Sequence, residues 1–369
     1  MQIGILTQPL ANNYGGILQN WALQQALKQI GHVPITINIP YPHIEEKKNF
    51  PRSCWRFLKR MKGDKSIIFI NADRQMNFLN IPCDNMREFV SRNINVMHLL
   101  GKVDSTFCDK HPEIKAYIVG SDQVWRKSFS PYLPNFFLDF TENVDVKRVA
   151  YGVSFGRTEM DINQDESRFY SELASRFDAI SVREEDGKEI CKKQLNSNAS
   201  LVIDPTLLLD RSDYLGLIDD EERQVKSSRY AAVYVLDKNK QEEKDINIFC
   251  KENGLTPKYI GSPSSKGFQR VESWLSDIAN SQYVITDSYH GTIFSIIFGK
   301  HFTSICNPSR GASRFITLLA SLGLESRLVT EGQRFVPLSE RINYSGVNEL
   351  ISDRRSASIA FLKESLGDV

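Results

Sequence analysis

The sequence of 369 residues lacks the features that mark metal-binding, disulfide-rich, membrane-spanning and nucleic-acid-binding proteins. Its six cysteines are scattered without a C-x-x-C pair, which predicts no zinc motif, no compact disulfide framework and a reduced cytosolic compartment. No apolar run approaches the ~18 residues that cross a bilayer, and the N-terminal MQIGILTQPL lacks the pattern of a signal peptide. Lys and Arg number 46 against 45 Asp and Glu, which argues against a general nucleic-acid binder. We expect a cytoplasmic protein that is soluble or at most touches a membrane surface.

Short apolar segments alternate with helix-length amphipathic segments along most of the chain. In the first half the predicted strands are 3–6, 35–39, 116–120, 148–154, 179–183 and 200–204, and the predicted helices are 16–30, 164–176 and 184–195. In the second half the predicted strands are 230–236, 257–261, 283–287 and 301–306, and the predicted helices are 240–253, 271–280 and 291–299. This alternation predicts βαβ units and parallel sheets.

The length of the chain predicts two domains, because one core rarely grows past about 250–300 residues. The polar stretch 210–229 interrupts the alternation and is the best candidate for a linker. We predict an α/β fold of two similar halves facing a cleft. The first domain spans 1–215 and is completed by a C-terminal helix within 346–369 that packs back on it; the second spans 228–335.

Ligands of such sheets bind outside the carboxyl ends of the strands, so the residues after each predicted strand are the candidates for a site. After the first strand, Asn13, Gly15 and Gly16 suit a tight turn with exposed amides at a helix start, although ordinary loop chemistry would use the same residues. No G-x-G-x-x-G dinucleotide motif is present.

The segment SDQVW places Ser121, Asp122 and Gln123 after the strand 116–120, followed by Trp125. The indole offers a flat face for a sugar, or belongs to the core beside a capping aspartate. Arg183 lies at the end of the strand 179–183 and could clamp a carboxylate or phosphate, or pair with a neighbouring glutamate. Asp204, at the end of 200–204, is interpreted mainly as structural.

The segment VITDSYHG sets Ser288, Tyr289 and His290 between a strand and the helix that begins near Gly291. Exposed amides at a helix start favour an anion there, although a lone histidine is often structural. Further along, Arg310 and Arg314 enter another helix start, and two arginines with a histidine would bind a phosphorylated acid.

Together these segments resemble the polysaccharide pyruvyl transferase family. The matching pieces, in the family's order, are NNYGGILQNWALQQAL (12–27), VGSDQVW (119–125), YGVSFG (151–156), SVRE (181–184), IDPTLLL (203–209), 274–300 and SRGASRF (309–315). The resemblance implies two Rossmann-like domains facing a cleft, as in GT-B glycosyltransferases. It also implies transfer of pyruvate from phosphoenolpyruvate onto two sugar hydroxyls, forming a cyclic ketal and releasing phosphate, in the biosynthesis of a capsule or exopolysaccharide.

The resemblance also suggests roles for the candidate residues. The donor would lie on the C-terminal side, and the donor-binding residues would be Arg183, Ser288, Tyr289, His290, Gly291, Arg310 and Arg314. The acceptor would lie on the N-terminal side, where the acceptor-binding residues are Asn13, Tyr14, Gly15, Ser121, Gln123 and Trp125. His290 would neutralise the leaving phosphate and is one candidate for the proton donor, and Asp122 would be the base near the acceptor. No cofactor and no metal are expected.

One position departs from the family pattern. Many members carry Arg-Leu-His-Gly where this chain has Ser288-Tyr289-His290-Gly291. We infer that Arg310 or Arg314 supplies the charge that is missing at Ser288.

Two other functions fit the same pattern: a glycosyltransferase that uses a nucleotide sugar, and a non-catalytic glycan-binding relative. The acceptor would be a glycan or a lipid-linked oligosaccharide. The basic segment 52–65, with aromatic residues among its charges, would suit a peripheral contact with anionic lipid or a solvated insert. The sequence does not predict the acceptor sugar or the oligomeric state.

Overall fold

Seven parallel strands form the sheet of the N-terminal half. The computed structural model describes residues 1–41, 83–219, 229–237, 239–264, 267–306, 311–330 and 332–367. The strands are β1 (Gln2–Leu6), β2 (Val33–Asn38), β3 (Val96–His98), β4 (Ile114–Val119), β5 (Lys147–Val153), β6 (Ala179–Val182) and β7 (Ser200–Leu201). Their spatial order is β3-β2-β1-β4-β5-β6-β7, and every neighbouring pair is parallel. The central strands are covered on both faces, which explains continuous apolar runs such as IGIL.

Helices and short 3-10 segments cover this sheet. The helices are α1 (Tyr14–Gln29), α2 (Asp84–Asn93), α3 (Phe107–Lys110), α4 (Gln164–Ala174), α5 (Glu185–Gln194) and α6 (Arg211–Leu217), and the 3-10 segments are Leu133–Phe137, Asp139–Thr141 and Pro205–Leu208. Local sequence sets some of the helix ends. Asn163 and Glu166, for example, form a reciprocal capping box at the start of α4.

A second parallel sheet forms the C-terminal half. Its strands are β8 (Tyr230–Tyr234), β9 (Thr256–Tyr259), β10 (Tyr283–Thr286), β11 (His301–Cys306) and β12 (Leu328–Thr330), in the order β12-β11-β10-β8-β9. The accompanying helices are α7 (Lys240–Glu252), α8 (Val271–Ala279), α9 (Tyr289–Ile297) and α10 (Ala312–Ser321), with a 3-10 turn at Glu325–Arg327. The predicted fold of two Rossmann-like α/β units is confirmed.

The last helix, α11 (Tyr344–Leu366), joins the two halves. Its C-terminal Leu362 and Leu366 lie in the same apolar cluster as strands β1, β4 and β5, and the backbone N–H of Ile203 donates to Ser358 Oγ at 3.1 Å. Its first turns belong to the cluster that contains α8 and α9. The predicted packing of this helix on the first sheet is therefore confirmed.

The two halves share one apolar cluster, which contains residues of α1 from the first half and of α8 and α9 from the second. Tyr14 stacks on Trp274 of α8, with 5.2 Å between ring centroids, and its hydroxyl donates to the carbonyl of Gln269. This contact brings the start of α1 against the second sheet, so the carboxyl ends of both sheets approach each other.

The polar stretch 210–229 is only partly a linker, and that prediction was wrong for its first residues. Asp210 and Asp213 cap α6 in a reciprocal box, and Tyr214 is fully buried against Trp21 and Phe294. One buried aromatic side chain in an otherwise charged segment gives too weak a periodicity to predict a helix. Residues 220–228 lie outside the described residues, so the predicted domain boundary stays a prediction. The predicted membrane contact at 52–65 lies outside them as well.

Candidate active site

The order of the strands defines where each sheet can bind a ligand. The order reverses between β1 and β4 in the first sheet and between β8 and β10 in the second. Loops diverge at these points and open a crevice outside the carboxyl ends of the strands. Thr7 and Ser121 lie just after β1 and β4, and Ser288 lies just after β10. The loops that the sequence singled out therefore lie at the two crevices.

Arg183 is the centre of a buried ion-pair network between these loops. Its Nη1 donates to Asp204 Oδ2 at 2.6 Å, and its Nη2 donates to Asp122 Oδ1 at 2.8 Å. Glu184 is more distant, with 4.0 Å between Arg183 Nε and Glu184 Oε2. The side chain of Arg183 has no exposed area. Its fork is thus occupied by two carboxylates and does not point into open solvent.

The carboxyl groups around Arg183 differ in their pKa. Burial favours the neutral form of Asp122, but the charges of Arg183 and His290 outweigh burial and hold its pKa below the ordinary value. Burial also opposes ionisation of Asp204, yet the nearby His290 and the charge of Arg183 bring its pKa well below the usual range. Burial raises the pKa of Glu184. Asp122 and Asp204 are therefore anions at neutral pH.

His290 lies in the first turn of α9, between Asp204 and helix α1. Its Nε2 is 3.7 Å from Asp204 Oδ2, and the residue is 6% exposed. On its other side, a Cβ added to Gly15 would lie only 2.0 Å from His290 Nδ1. Glycine at position 15 is thus what allows the imidazole of the second half to lie against the first half. The Asp204 carboxylate is close enough to stabilise positive charge that develops on this ring.

The neighbours of His290 hold the loop in place. The Ser288 side chain caps α9 by accepting from the backbone N–H of Gly291. A serine at this position therefore serves the helix end and carries no charge. The ring of Tyr289 lies beneath two guanidinium groups, with Arg183 Cζ at 4.8 Å and Arg314 Cζ at 5.2 Å from its centroid.

Arg314 is the second guanidinium at the crevice. It lies in the first turn of α10 and is 5% exposed, with Nη1 at 3.7 Å from Asp122 Oδ1. Of the two arginines that could replace the charge missing at Ser288, Arg314 is thus brought to the network. Arg310 lies outside the described residues.

The prediction that Trp125 stacks on a sugar was wrong. The residue is 1% exposed, its ring stacks on Phe137 with 4.6 Å between centroids, and its Nε1–H donates to the carbonyl of Phe136. Both faces and the polar edge are used inside the first domain. An aromatic residue after a strand looks the same in sequence whether it lines a cleft or fills a core.

Two other predicted acceptor contacts were wrong for a similar reason. Ser121 is fully buried, and its hydroxyl donates to the carbonyl of Gly152. Tyr14 is 1% exposed in the joint between the halves. Asn13 is exposed just before α1, whereas Gln123 is largely buried and its Oε1 accepts from Arg126. Contact of these last two with an acceptor stays a prediction.

Asp204 is the residue whose part in the site sequence reasoning missed. It binds Arg183 and faces His290, and its Oδ1 also accepts from the backbone N–H and the hydroxyl of Thr206. The signal was available, because Asp204 follows a strand at the same sheet edge as Arg183. The proline after it made a turn the simpler interpretation.

A cavity of about 300 Å³ adjoins the network. Arg183, Asp204 and Tyr289 form one wall, and residues of α10 and α11, among them Thr317 and Arg354, form the other. Two other cavities, of about 190 and 390 Å³, lie on the second half away from these residues. The described residues contain no group of three or more His, Cys, Asp or Glu that could hold a metal, and no described helix is long and apolar enough to span a bilayer.

Comparison with known proteins gives a family and a fold. The family model described as polysaccharide pyruvyl transferase matches residues 13–307. Among solved structures, S. aureus MnaA in complex with UDP has a TM-score of 0.50 at 11% identity, over 100% of this chain and 93% of that chain. The spinosyn forosaminyltransferase SpnP has a TM-score of 0.48 at 9% identity, over 98% and 94%. The UDP-GlcNAc 2-epimerase of Methanocaldococcus jannaschii has 0.45 at 11%, over 96% and 93%. Among curated proteins, none matches this sequence.

Proposed function

Because this chain belongs to the polysaccharide pyruvyl transferase family, we propose that it moves pyruvate from phosphoenolpyruvate onto two hydroxyls of a surface-polysaccharide sugar or its lipid-linked precursor. The product is a cyclic ketal, and inorganic phosphate is released. The observation that carries the proposal is the meeting of His290 and Arg314 with the Asp122–Arg183–Asp204 network where the two sheets approach.

The reaction makes definite demands on a site. A proton must be added to the methylene carbon of phosphoenolpyruvate while one sugar hydroxyl bonds to C2, and the proton of that hydroxyl is released. A second hydroxyl then replaces the phosphate at C2 and gives up its proton. Such steps need a proton donor, anion binding and groups that stabilise developing charge.

The described residues can meet these demands. His290 carries the proton transfer next to the leaving phosphate, and Asp204 orients the ring and stabilises its positive charge. Arg314 binds an anionic end of the donor from the start of α10. Arg183 acts as a positioning residue, since two carboxylates already occupy its fork. A carboxylate with a lowered pKa is a weak base, so we assign Asp122 to holding Arg183 and Arg314 in place.

The test is to incubate the protein with phosphoenolpyruvate and candidate glycans, and to measure phosphate together with acid-labile pyruvate on the sugar. We expect both products, and His290→Gln to lower turnover more than about ten-fold, as loss of general acid–base catalysis does. His111→Gln is the control, because His111 precedes β4 and so lies at the amino ends of the strands, away from the carboxyl ends that carry the site. Phosphate release without a pyruvylated sugar, or full activity of His290→Gln, contradicts the proposal.

Ligand stabilisation separates this function from the two alternatives. Phosphoenolpyruvate at 100 times its Kd stabilises the folded protein by about 2.7 kcal/mol, which a melting curve resolves. Stabilisation by a nucleotide sugar in its place would favour a glycosyltransferase. Glycan binding without binding of either donor would favour a non-catalytic relative.

A further inference from the structure

Arg126 is a buried cation, and no carboxylate of the described residues lies within ion-pair distance of it. It follows Trp125 in the loop after β4 and is 8% exposed. Arginine has five N–H groups. At Arg126 only Nη1 has an acceptor among the described residues, and it donates to Gln123 Oε1 at 2.7 Å. The Nε–H is buried without an acceptor, and the guanidinium lies 4.0 Å above the ring of Phe129. A buried charge with so few partners is unfavourable unless a ligand completes it.

Close contacts connect Arg126 with the start of α10. A Cβ added to Gly156 would lie 1.8 Å from Gln123 Oε1, the atom that accepts from Arg126. A Cβ added to Gly311 would lie 3.0 Å from the carbonyl oxygen of Gly156 and 3.2 Å from Arg314 Nε. Two glycines thus bring the loop of Arg126 and the N-terminus of a ten-residue helix into contact.

Positive charge outweighs negative charge around Arg126, where, within the described part of the chain, only the carboxylate of Asp161 opposes two arginines. Burial lowers the pKa of Arg126 to about 10, and the positive charges of Arg157 and Arg314 act in the same direction. Arg157 is partly exposed, and its Nη1 lies 3.8 Å from Asp161 Oδ2. Arg314 has the buried carboxyl groups of Asp122 and Glu184 nearby, but Asp122 is shared with Arg183, and burial raises the pKa of Glu184. Two guanidinium groups and a helix N-terminus therefore converge with too little negative charge.

We propose that Arg126 and Arg314 together bind a phosphate group at the start of α10, with Gln123 holding Arg126 in place. A phosphate fits because it offers several acceptor oxygens and up to two negative charges, which two guanidinium forks and helix amides can share. Taken with the proposed function, on which this last step rests, the group is the phosphate of the donor. Arg126 then supplies charge that Ser288 does not.

The test is binding of inorganic phosphate, phosphoenolpyruvate and pyruvate to the full chain, measured by calorimetry. Arg126→Gln should weaken binding of both phosphate-bearing ligands by about ten-fold to a hundred-fold, the usual effect of losing hydrogen bonds to a charged group. It should leave binding of pyruvate unchanged. Lys193→Gln is the matched control, because it removes one positive charge from the far end of α5, where Lys193 pairs with Glu189.

Arg126→Lys is the second variant, in case Arg126→Gln does not fold. It keeps the positive charge but loses the planar guanidinium fork. Circular dichroism and melting curves identify the folded variants, and phosphate binding by folded Arg126→Lys should be weaker than wild type. Wild-type affinity for phosphate in either folded variant, or no phosphate binding by the wild type, overturns the proposal. Phosphate binding through Arg126 without any pyruvylated product would refute the proposed function and leave this site intact. Pyruvylation by Arg126→Gln with unchanged affinity for phosphoenolpyruvate would refute the phosphate site and leave the proposed function intact.

Discussion

Replacing Gly15 by alanine tests whether the close approach of the two halves positions His290. The new Cβ would lie 2.0 Å from His290 Nδ1, 2.3 Å from Cγ and 2.8 Å from Cβ. Ordinary contact begins near 3.4 Å, so the imidazole must retreat by about 1.4 Å. Misplacement of a reacting group by about 1 Å can lower a rate by roughly a hundred-fold. We therefore expect Gly15→Ala to lower turnover by about that factor.

The effect on stability has two opposing parts. Alanine is favoured over glycine within a helix by about 1 kcal/mol, whereas overpacking costs typically 1–3 kcal/mol. We expect net destabilisation of up to about 2 kcal/mol, measured by urea unfolding. In a His290→Gly background all three overlapping atoms are gone. There the same Gly15→Ala substitution should stabilise the protein by up to about 1 kcal/mol.

Gly16→Ala is the matched control in the same helical turn. Its Cβ would meet the exposed Asn13 side chain at 3.1 Å, and that side chain can move. Turnover should fall much less than in Gly15→Ala, because His290 is not displaced. Two results would refute the reasoning: wild-type turnover by Gly15→Ala, or an equal change in unfolding free energy with and without His290.

Three further predictions follow from the same structure. Asp204→Asn should destabilise the protein by about 3–5 kcal/mol at pH 7, as breaking one side of a buried ion pair does. Because folding lowers the pKa of Asp204, its contribution to stability is complete above the unfolded pKa near 4 and is lost as the pH falls below that value. In urea unfolding, the difference in unfolding free energy between the wild type and Asp204→Asn should therefore shrink below about pH 4. A difference that stays constant with pH would contradict this. Trp125→Ala should destabilise the folded protein by about 3–5 kcal/mol. Trp125→Phe should bind glycan with wild-type affinity in calorimetry. A loss of glycan affinity without a loss of stability would support the sugar-stacking role instead. Liposomes with anionic lipid should carry the protein in flotation if 52–65 makes the predicted membrane contact, and a protein that stays at the bottom of the gradient would exclude it.

Much of the fold could be predicted because alternating apolar and amphipathic segments encode parallel sheets locally. Helix α2 was not predicted, and some other elements are too short for a sequence period to reveal them. Strands β3 and β12 have three residues each, and α6 presents one buried tyrosine in a charged stretch. Their formation depends on partners from distant parts of the chain.

The site was predicted in position better than in detail. Residues after strands were expected at the crevices, and Arg183, His290 and Arg314 do lie there. Their partners could not be chosen from sequence. Arg183 has an adjacent glutamate at 4.0 Å, yet its short contacts go to Asp122 and Asp204, 61 and 21 residues away.

The sequence by itself determined the two α/β halves, the strand ends that carry polar residues and the resemblance to a family, because these depend on local periodicity and on the order of short motifs. Only the tertiary structure decided which side chains face each other. Trp125 is buried in the core, and Arg183 pairs with two carboxylates. Arg126 is buried without an ion pair to a carboxylate of the described residues. Such outcomes follow from long-range packing and desolvation, which no short segment encodes.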